Sequence, residues 1–337
     1  MSIINIQALA DKLGISKSTV SKALKDSHEI SAETKKKVLE LAAKLSYTPN
    51  PYASSLRKKK SKTIAVVMPE IADSFFALAI NGIQSVAEKK GYHVLIYLSH
   101  EKYNIEKNIL KEITNGRVDG LLISVTRETK NGDHITELQS TGIPVIFFDR
   151  QVDNIPATKV ITNDFECGYN AAKHLLDAGC RKPIFFSHSA FLSICKERFG
   201  GFRLALKDAG FSKKDILITY DHNSDKEGDA LIKKILSGKN RPDGIVASVE
   251  KIAIQLYLTA QKLSVRIPDD LKIIAFSTLE TADILNPPLS TITQPAFEIG
   301  KTAATLLFKN IEKNNTNWQI ENIVIPSTLI KRTSTAK

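Results

Sequence analysis

Residues 6–24 read Ile-Gln-Ala-Leu-Ala-Asp-Lys-Leu-Gly-Ile-Ser-Lys-Ser-Thr-Val-Ser-Lys-Ala-Leu, a stretch that predicts two short helices broken by one tight turn. Ile6, Leu9, Ala10 and Leu13 fall at i, i+3, i+4 and i+7, which makes one buried stripe. Gly14 can take a left-handed backbone at little cost, so the first helix stops there. Ile15 turns back toward the core. Ser16 has the chemistry to cap a second helix. On that helix Val20, Ala23 and Leu24 face inward, while Lys17, Ser18, Ser21 and Lys22 share the opposite face. A small helix that presents cations and hydroxyls suits the major groove of DNA. The alternative for the same residues is a three-helix unit whose lysines are merely solvated.

Working outward, Ser31 is placed to cap a third helix, with Val38, Leu41, Ala42 and Leu45 inside and Lys35, Lys36 and Lys37 outside. This all-α headpiece is expected to end near Tyr47. In the segment that follows, Asn50 is a good N-cap and Pro51 suits the first helical position, so a helix of about six residues is expected, too short to hold alone in water. A basic run, Arg57-Lys-Lys-Lys60 and Lys62, comes next. Residues 1–62 carry 13 Lys+Arg against 5 Asp+Glu, whereas the remaining residues carry 34 against 31, out of a net charge of +11. Concentrating the positive excess in one end points to a polyanionic partner for that end.

From Thr63 the texture changes to short apolar runs alternating with amphipathic segments. Strands are expected at 64–68, 93–98, 120–124, 144–148, 184–187, 244–247 and 272–276, and helices at 76–89, 106–114, 167–176, 198–209 and 252–262. Such alternation implies an α/β fold of parallel sheets covered by helices on both faces. About 275 residues is large for one layer, so two sheets around a central cleft are expected, with ligands at the carboxyl ends of the strands.

Several function classes are disfavoured. No apolar run is long enough to span a bilayer, and Asp11 and Lys12 interrupt any signal-like segment. Cys167, Cys180 and Cys195 lack metal-ligand spacing, and an odd count of scattered thiols fits a reducing cytoplasm. No Gly-x-Gly-x-x-Gly follows a strand, and no phosphate-binding Gly-x-x-x-x-Gly-Lys loop occurs. His188 between Ser187 and Ser189 reads as a strand-end loop rather than a catalytic pair. Neither an enzyme nor a cofactor is expected.

The chain resembles the lactose-repressor (LacI/GalR) family of bacterial transcription regulators over essentially its whole length. The matching pieces are residues 15–24, Tyr-Thr-Pro-Asn-Pro-Tyr-Ala-Ser-Ser-Leu (47–56), Pro-Glu-Ile-Ala-Asp-Ser-Phe-Phe (69–76) and Arg-Val-Asp-Gly-Leu-Leu-Ile (117–123). Further along come Ile-Pro-Val-Ile-Phe-Phe-Asp-Arg (143–150), Glu-Arg-Phe-Gly-Gly-Phe (197–202), Ile-Pro-Asp-Asp-Leu (267–271) and Pro-Pro-Leu-Ser-Thr-Ile-Thr-Gln-Pro (287–295). Their order and spacing together are highly specific. The resemblance implies a helix-turn-helix headpiece (1–47), a hinge helix and basic linker (48–62), and a core like periplasmic sugar-binding proteins (63–337). It places an N-subdomain at 63–162 and 291–320 and a C-subdomain at 163–290 and 321–337, with crossings near residues 162, 290 and 320.

It also implies partners: a pseudo-palindromic double-stranded operator, a second copy of the chain, and a small-molecule effector, a sugar or related metabolite. By family position Lys17, Ser18 and Lys22 reach base edges, while Ser16, Thr19, Ser21 and Lys25 meet phosphates; local capping is the alternative for each serine. Lys22 stands where the family usually has arginine, and lysine lacks arginine's planar fork. Asn50, Ala53 and Leu56 belong to the hinge, where Leu56 would wedge between base pairs in the minor groove and Ala53 would sit on its floor. Ser54 replaces a common arginine.

For the effector, family position implies Asp73, Phe75, Phe76, Asp149, Arg150 and Arg198, with core packing the alternative for the phenylalanines. Two further positions depart from the pattern. Val249-Glu250 stands where Asn-Asp is common, and Ala275-Phe276-Ser277 where Gly-Phe-Asp is common. Val249 cannot hydrogen-bond a ligand hydroxyl and Ser277 is shorter and uncharged, which leaves Glu250 and Ser277 as the candidates at these positions. Two readings follow: a sugar-like effector, or a cleft that answers another metabolite or a protein co-regulator. A solute-binding protein of a transporter is the remaining alternative, and the basic headpiece argues against it.

Overall fold

A computed structural model of the chain describes residues 5–47, 61–114, 117–213, 217–220, 225–313 and 318–336. The chain divides into two compact units, residues 1–61 and 62–337. The hinge residues Asn50, Ala53 and Leu56 lie outside the described residues.

In the first unit, α1 (Ile6–Leu13), α2 (Lys17–Leu24) and α3 (Ala32–Lys44) enclose one small core. Gly14 ends α1 at φ 64°, the left-handed conformation that glycine adopts without strain. Ser16 accepts from the Thr19 amide at 3.0 Å and Ser31 from the Thr34 amide at 3.2 Å, so each hydroxyl satisfies one amide that its helix leaves orphaned. Leu9, Ala10, Val20, Ala23, Val38 and Ala42 are buried, and Ile6, Leu13, Ile15, Leu24, Leu41 and Leu45 pack around them.

The second unit has two six-stranded sheets. The first contains β1 (Thr63–Met68), β2 (His93–Leu98), β3 (Leu121–Ile123), β4 (Val145–Phe148), β5 (Thr158–Ile161) and β11 (Asn322–Val324), in the order β11-β5-β4-β3-β1-β2. Every neighbouring pair is parallel. Strand β1 shows why this sheet must be covered twice. Ile64, Val66 and Met68 pack on one side with α4 (Ser74–Lys89) and α11 (Ala296–Glu312). Ala65 and Val67 pack on the other with α5 (Tyr103–Ile113) and α6 (Asp133–Ser140). A strand apolar at consecutive positions buries both faces, as parallel sheets require.

The second sheet contains β6 (Pro183–Ser187), β7 (Leu217–Tyr220), β8 (Gly244–Ala247), β9 (Lys272–Phe276), β10 (Ser290–Thr293) and β12 (Thr328–Ile330), in the order β12-β10-β9-β8-β6-β7. It is parallel except for β12, which runs antiparallel to β10 at the edge. One face packs on α9 (Asp225–Ser237) and α10 (Glu250–Lys262), the other on α7 (Asp164–Asp177) and α8 (Ser193–Asp208).

The chain passes between sheets three times: at residues 162–163, 294–295 and 325–327. The second and third lie later than the sequence reading put them. Residues 291–293 belong to β10 of the second sheet, not to the start of the first subdomain, and 322–324 are β11 of the first sheet, not part of the second. The cause is chemical. Strand β10 reads Ser-Thr-Ile-Thr, a polar composition that resembles a linker. Its hydroxyls are paired: Ser290 Oγ donates to the Arg332 carbonyl at 3.0 Å, and Thr291 Oγ1 accepts from Arg332 Nη1 at 2.9 Å. Polar groups bury without penalty once bonded.

Candidate functional site

In the first unit, Lys17, Ser18 and Lys25 are exposed, and Ser21 and Lys22 are half-buried on the same helix. Ser16 and Thr19 bond each other at 2.8 Å, so both hydroxyls already serve the start of α2. Lys22 forms an ion pair with Glu29, in the turn that follows the helix. Lys35, on the outside of α3, is bonded to Asp26 at 2.7 Å. The face has the dimensions and donors to enter a major groove: one helix, its amino end exposed, with lysines and hydroxyls that can meet guanine O6 and N7 or phosphate oxygens.

In the second unit, all eight residues expected around the effector line one narrow space between the sheets: Asp73, Phe75, Phe76, Asp149, Arg150, Arg198, Glu250 and Ser277. The strand ends and helix starts place them. Asp73 caps α4, accepting from the Phe75 amide at 2.9 Å. Phe75 and Phe76 then meet edge to face, 5.4 Å between centroids. Asp149 and Arg150 follow β4, and Asp149 has φ 60°. Arg198 comes from the middle of α8. That helix crosses α7 with almost no gap, since a Cβ on Gly168 would lie 1.9 Å from the Arg198 carbonyl oxygen and one on Gly201 1.8 Å from that of Phe165. Any side chain there would push Arg198 out of the cleft.

The polar groups are heavily cross-linked. Arg198 is 1% exposed. Its Nε donates to Asp164 Oδ1 at 2.6 Å, its Nη1 donates to the Ser248 carbonyl at 2.6 Å, and its plane lies 4.1 Å over Phe276. Its Nη2 is buried with no hydrogen-bond partner among the described residues, a donor that a ligand oxygen could satisfy. Arg150 donates to Glu101 Oε1 at 2.8 Å, and the His188 ring meets the same oxygen at 3.2 Å. Arg150 and His188 hold the Glu101 carboxyl well below its usual range despite burial. Ser277 Oγ donates to Glu250 Oε2 at 2.7 Å, and Ser74 Oγ donates to the same oxygen at 2.6 Å. The Ser277 hydroxyl is thus turned onto the carboxylate at position 250 and brings no charge of its own to the cleft.

Residues that the sequence reading did not assign also belong here. Gln294, on the second crossing, reaches Asp149 Oδ1 at 3.4 Å. Thr278 bonds Ser74 at 2.6 Å. Glu101 and Asp164 anchor the two arginines. The motif at 287–295 contained the signal for Gln294. Glu101, at φ 57° after β2, had none. His188 faces Glu101, while Ser187 Oγ donates to the Ser189 carbonyl at 2.8 Å, so those neighbours serve the loop and the cleft.

Between these groups the space is about 20 Å³, roughly one water. Spaces of about 340 and 440 Å³ share its walls, the first at Asp73, Phe76, Arg150 and Glu250 and the second at Asp149 and Ile194, and a space of about 690 Å³ lined by Tyr103, Arg127, Lys130, His188 and Phe191 adjoins the first at His188. A pentose or hexose reaches the inner residues only when the sheets part. The inner groups can bind a neutral polyol: guanidinium donors, carboxylate acceptors and an aromatic wall.

Burial pushes the Asp149 carboxyl up to about 7, although Arg150 and Arg198 act against the rise. Asp73 is raised too, by burial and then by the charge of Glu250. A carboxyl that ionises later in the folded chain than in the unfolded one, whose reference is 3.8, weakens the fold as pH rises from about 4 to 7. Asp149→Asn removes that titration, and asparagine tolerates a positive φ. Urea unfolding should therefore show the variant gaining on the parent between about pH 4 and 7. A difference independent of pH would mean that Asp149 ionises normally.

Comparisons with known proteins agree with this geometry. Residues 61–333 match the family described as periplasmic binding proteins and sugar binding domain of the LacI family, and residues 5–50 match bacterial regulatory proteins of the lacI family. The ribose operon repressor of Haemophilus influenzae is 32% identical over 321 residues, covering 95% of each chain. Catabolite control protein A of Priestia megaterium is 26% identical, covering 98% of this chain and 99% of its own. Among solved structures, a LacI family regulator from Enterococcus faecium with bound ribose superposes with a TM-score of 0.73 at 27% identity, over 81% of this chain and 98% of that one. The lac repressor dimer bound to operator superposes over 100% of both chains with a TM-score of 0.85, at 21% identity, a likeness of fold. The chain belongs to the LacI family of DNA-binding bacterial transcription regulators.

Proposed function

We propose that this chain is a cytoplasmic repressor that grips a pseudo-palindromic operator as a homodimer and is controlled by a neutral polyhydroxylated effector of pentose size. The observation that carries the effector reading is the convergence of Arg150, Arg198, Asp149 and Glu250 around the Phe75–Phe76 wall in one cleft. Five carboxyl groups (Asp73, Glu101, Asp149, Asp164, Glu250) stand against two arginines there, which disfavours a phosphorylated or acidic ligand. Ribose appears in the printed names of the Haemophilus influenzae relative and of the Enterococcus faecium structure, and a pentose suits the donors and acceptors present. A dimer is supported by β2, at the edge of its sheet among the described residues, whose Leu95 and Ile96 are exposed. No described helix is long and apolar enough to cross a membrane.

On DNA, Lys17, Ser18 and Lys22 read base edges, and Ser16, Thr19, Ser21 and Lys25 contact phosphates. To the minor groove we assign Asn50, Ala53 and Leu56, with Ala53 against its floor and Leu56 as the wedge at a base step. The test is selection of genomic fragments by the full-length protein, with and without candidate effectors, alongside thermal melting. Ribose or a related neutral sugar at about 100 times its Kd should stabilise the core by roughly 2.7 kcal/mol, several degrees of melting, and change the yield of bound fragments. A shift with anionic metabolites alone, or only with a protein co-regulator, would overturn the effector reading. Leu56→Ala should weaken operator binding about tenfold and random duplex far less, since the wedge acts only where a step opens. Equal losses on both DNAs would place Leu56 outside the groove.

A further inference from the structure

Two acidic residues stand in the turn between α2 and α3, and they do different work. Asp26, at φ 54°, is held by Lys35 of α3 through its carboxylate at 2.7 Å and its carbonyl at 3.3 Å. The Asp26 amide bonds the Ala23 carbonyl at 3.1 Å, and that of Ser27 bonds the Lys22 carbonyl at 3.0 Å. The turn is therefore fixed to both helices. Glu29 rises from that turn and pairs with Lys22, seven residues earlier on the face that carries Lys17 and Ser18. The Lys22 and Glu29 side chains keep 45% and 51% of their exposure, so the pair remains open to a partner.

A carboxylate beside a DNA-reading lysine weakens attraction to any phosphate. Phosphate contacts supply most sequence-independent binding, whereas base edges supply discrimination. Lysine is a flexible point charge with three donors, and alone it settles on whichever phosphate is nearest; arginine's rigid fork resists this and matches guanine O6 and N7. Paired with Glu29, the Lys22 ammonium has one N–H engaged and its position restrained, and two N–H groups remain for a two-acceptor edge. The pair thus approximates the fork that lysine lacks.

We propose that Glu29 is a specificity-determining residue, restraining Lys22 so that this lysine reads guanine in the major groove instead of binding phosphate. This rests on the operator-binding reading above. The test uses the full-length protein, its selected operator and a random duplex of equal length, across a salt series, with Glu29→Ala, Lys22→Ala and the double variant. Both side chains are half-exposed, so folding is not at stake.

Glu29→Ala should tighten binding to the random duplex about three- to tenfold, change operator binding less, and steepen the salt slope by about 0.9, one added phosphate contact. In the Lys22→Ala background the same substitution should alter neither quantity. An unchanged ratio of operator to random binding in Glu29→Ala would overturn the proposal. So would an equal change in the Lys22→Ala background, which would make Glu29 a general repulsive charge. A parent protein that prefers no sequence would overturn the operator-binding reading first; a parent with a clear preference that Glu29→Ala leaves intact would sink only this inference.

Discussion

Leu9→Ala is expected to abolish operator binding while leaving the melting of residues 62–337 where it was. Leu9 is fully buried in a core of six buried side chains among the described residues. Truncating a buried leucine costs about 2–5 kcal/mol, lost transfer energy plus an unfilled cavity. A unit of about sixty residues draws only about 3–5 kcal/mol from its core. The substitution therefore removes most or all of the headpiece's margin, and a recognition helix that is not folded cannot enter the groove. Because the two units are separately compact, calorimetry should show the low-temperature transition lost and the larger one retained. Leu39→Ala, at an exposed position of α3 (53% of its surface accessible), should change neither transition by more than about 0.5 kcal/mol. A Leu9→Ala protein that still selects its operator at full affinity would show that the headpiece draws its stability from elsewhere.

The same numbers explain why the headpiece is legible in sequence. Nineteen residues carry a complete set of mutually consistent signals: a stripe, a left-handed stop at Gly14, a cap at Ser16 and a second stripe. The sheets are legible for a related reason. Strands buried on both faces, such as Ile64-Ala-Val-Val-Met68, must be apolar throughout. Legibility fails where burial is achieved by pairing polar groups. Strand β10 keeps its hydroxyls inside because Arg332 and Thr335 bond them, and those partners lie over forty residues away. Strands β11 and β12, of three residues each, are too short to show a period.

The cleft divides along the same line. Arg198, Asp149 and Arg150 sit inside motifs, so resemblance places them. The contacts that join the two sheets, Ser74 with Glu250 and Glu101 with His188, link residues 176 and 87 positions apart. No local pattern announces a bond between loop ends that meet only after both sheets have formed. Position 277 illustrates the consequence. Read alone, serine in place of aspartate suggests a lost acceptor. Folded, its hydroxyl donates to Glu250, so the residue serves to hold the carboxylate at the start of α10.

Arg198 carries the second large effect, because it serves the fold and the ligand through different atoms. Its Nε and Nη1 neutralise Asp164 and satisfy the Ser248 carbonyl. Arg198→Ala strands a carboxylate that is 6% exposed; leaving a buried charge without its partner costs about 3–5 kcal/mol. For a core this size that is roughly 10 °C of melting temperature. Loss of effector response in this variant alone would be ambiguous, since a damaged cleft binds nothing. Arg198→Met with Asp164→Asn separates the roles. Methionine refills the volume over Phe276, and the neutral amide needs no cation, so most of the stability should return. The free Nη2 donor does not return, and with it goes a charge-assisted bond to a ligand oxygen of about 1.5–3 kcal/mol. The double variant should therefore melt near the parent yet need roughly tenfold to a hundredfold more effector to shift its melting or release its DNA. A double variant that melts near the parent and responds at the parent's effector concentration would show that Arg198 only braces α7 against α8. The ligand would then be held by Arg150, Asp149 and Glu250 alone.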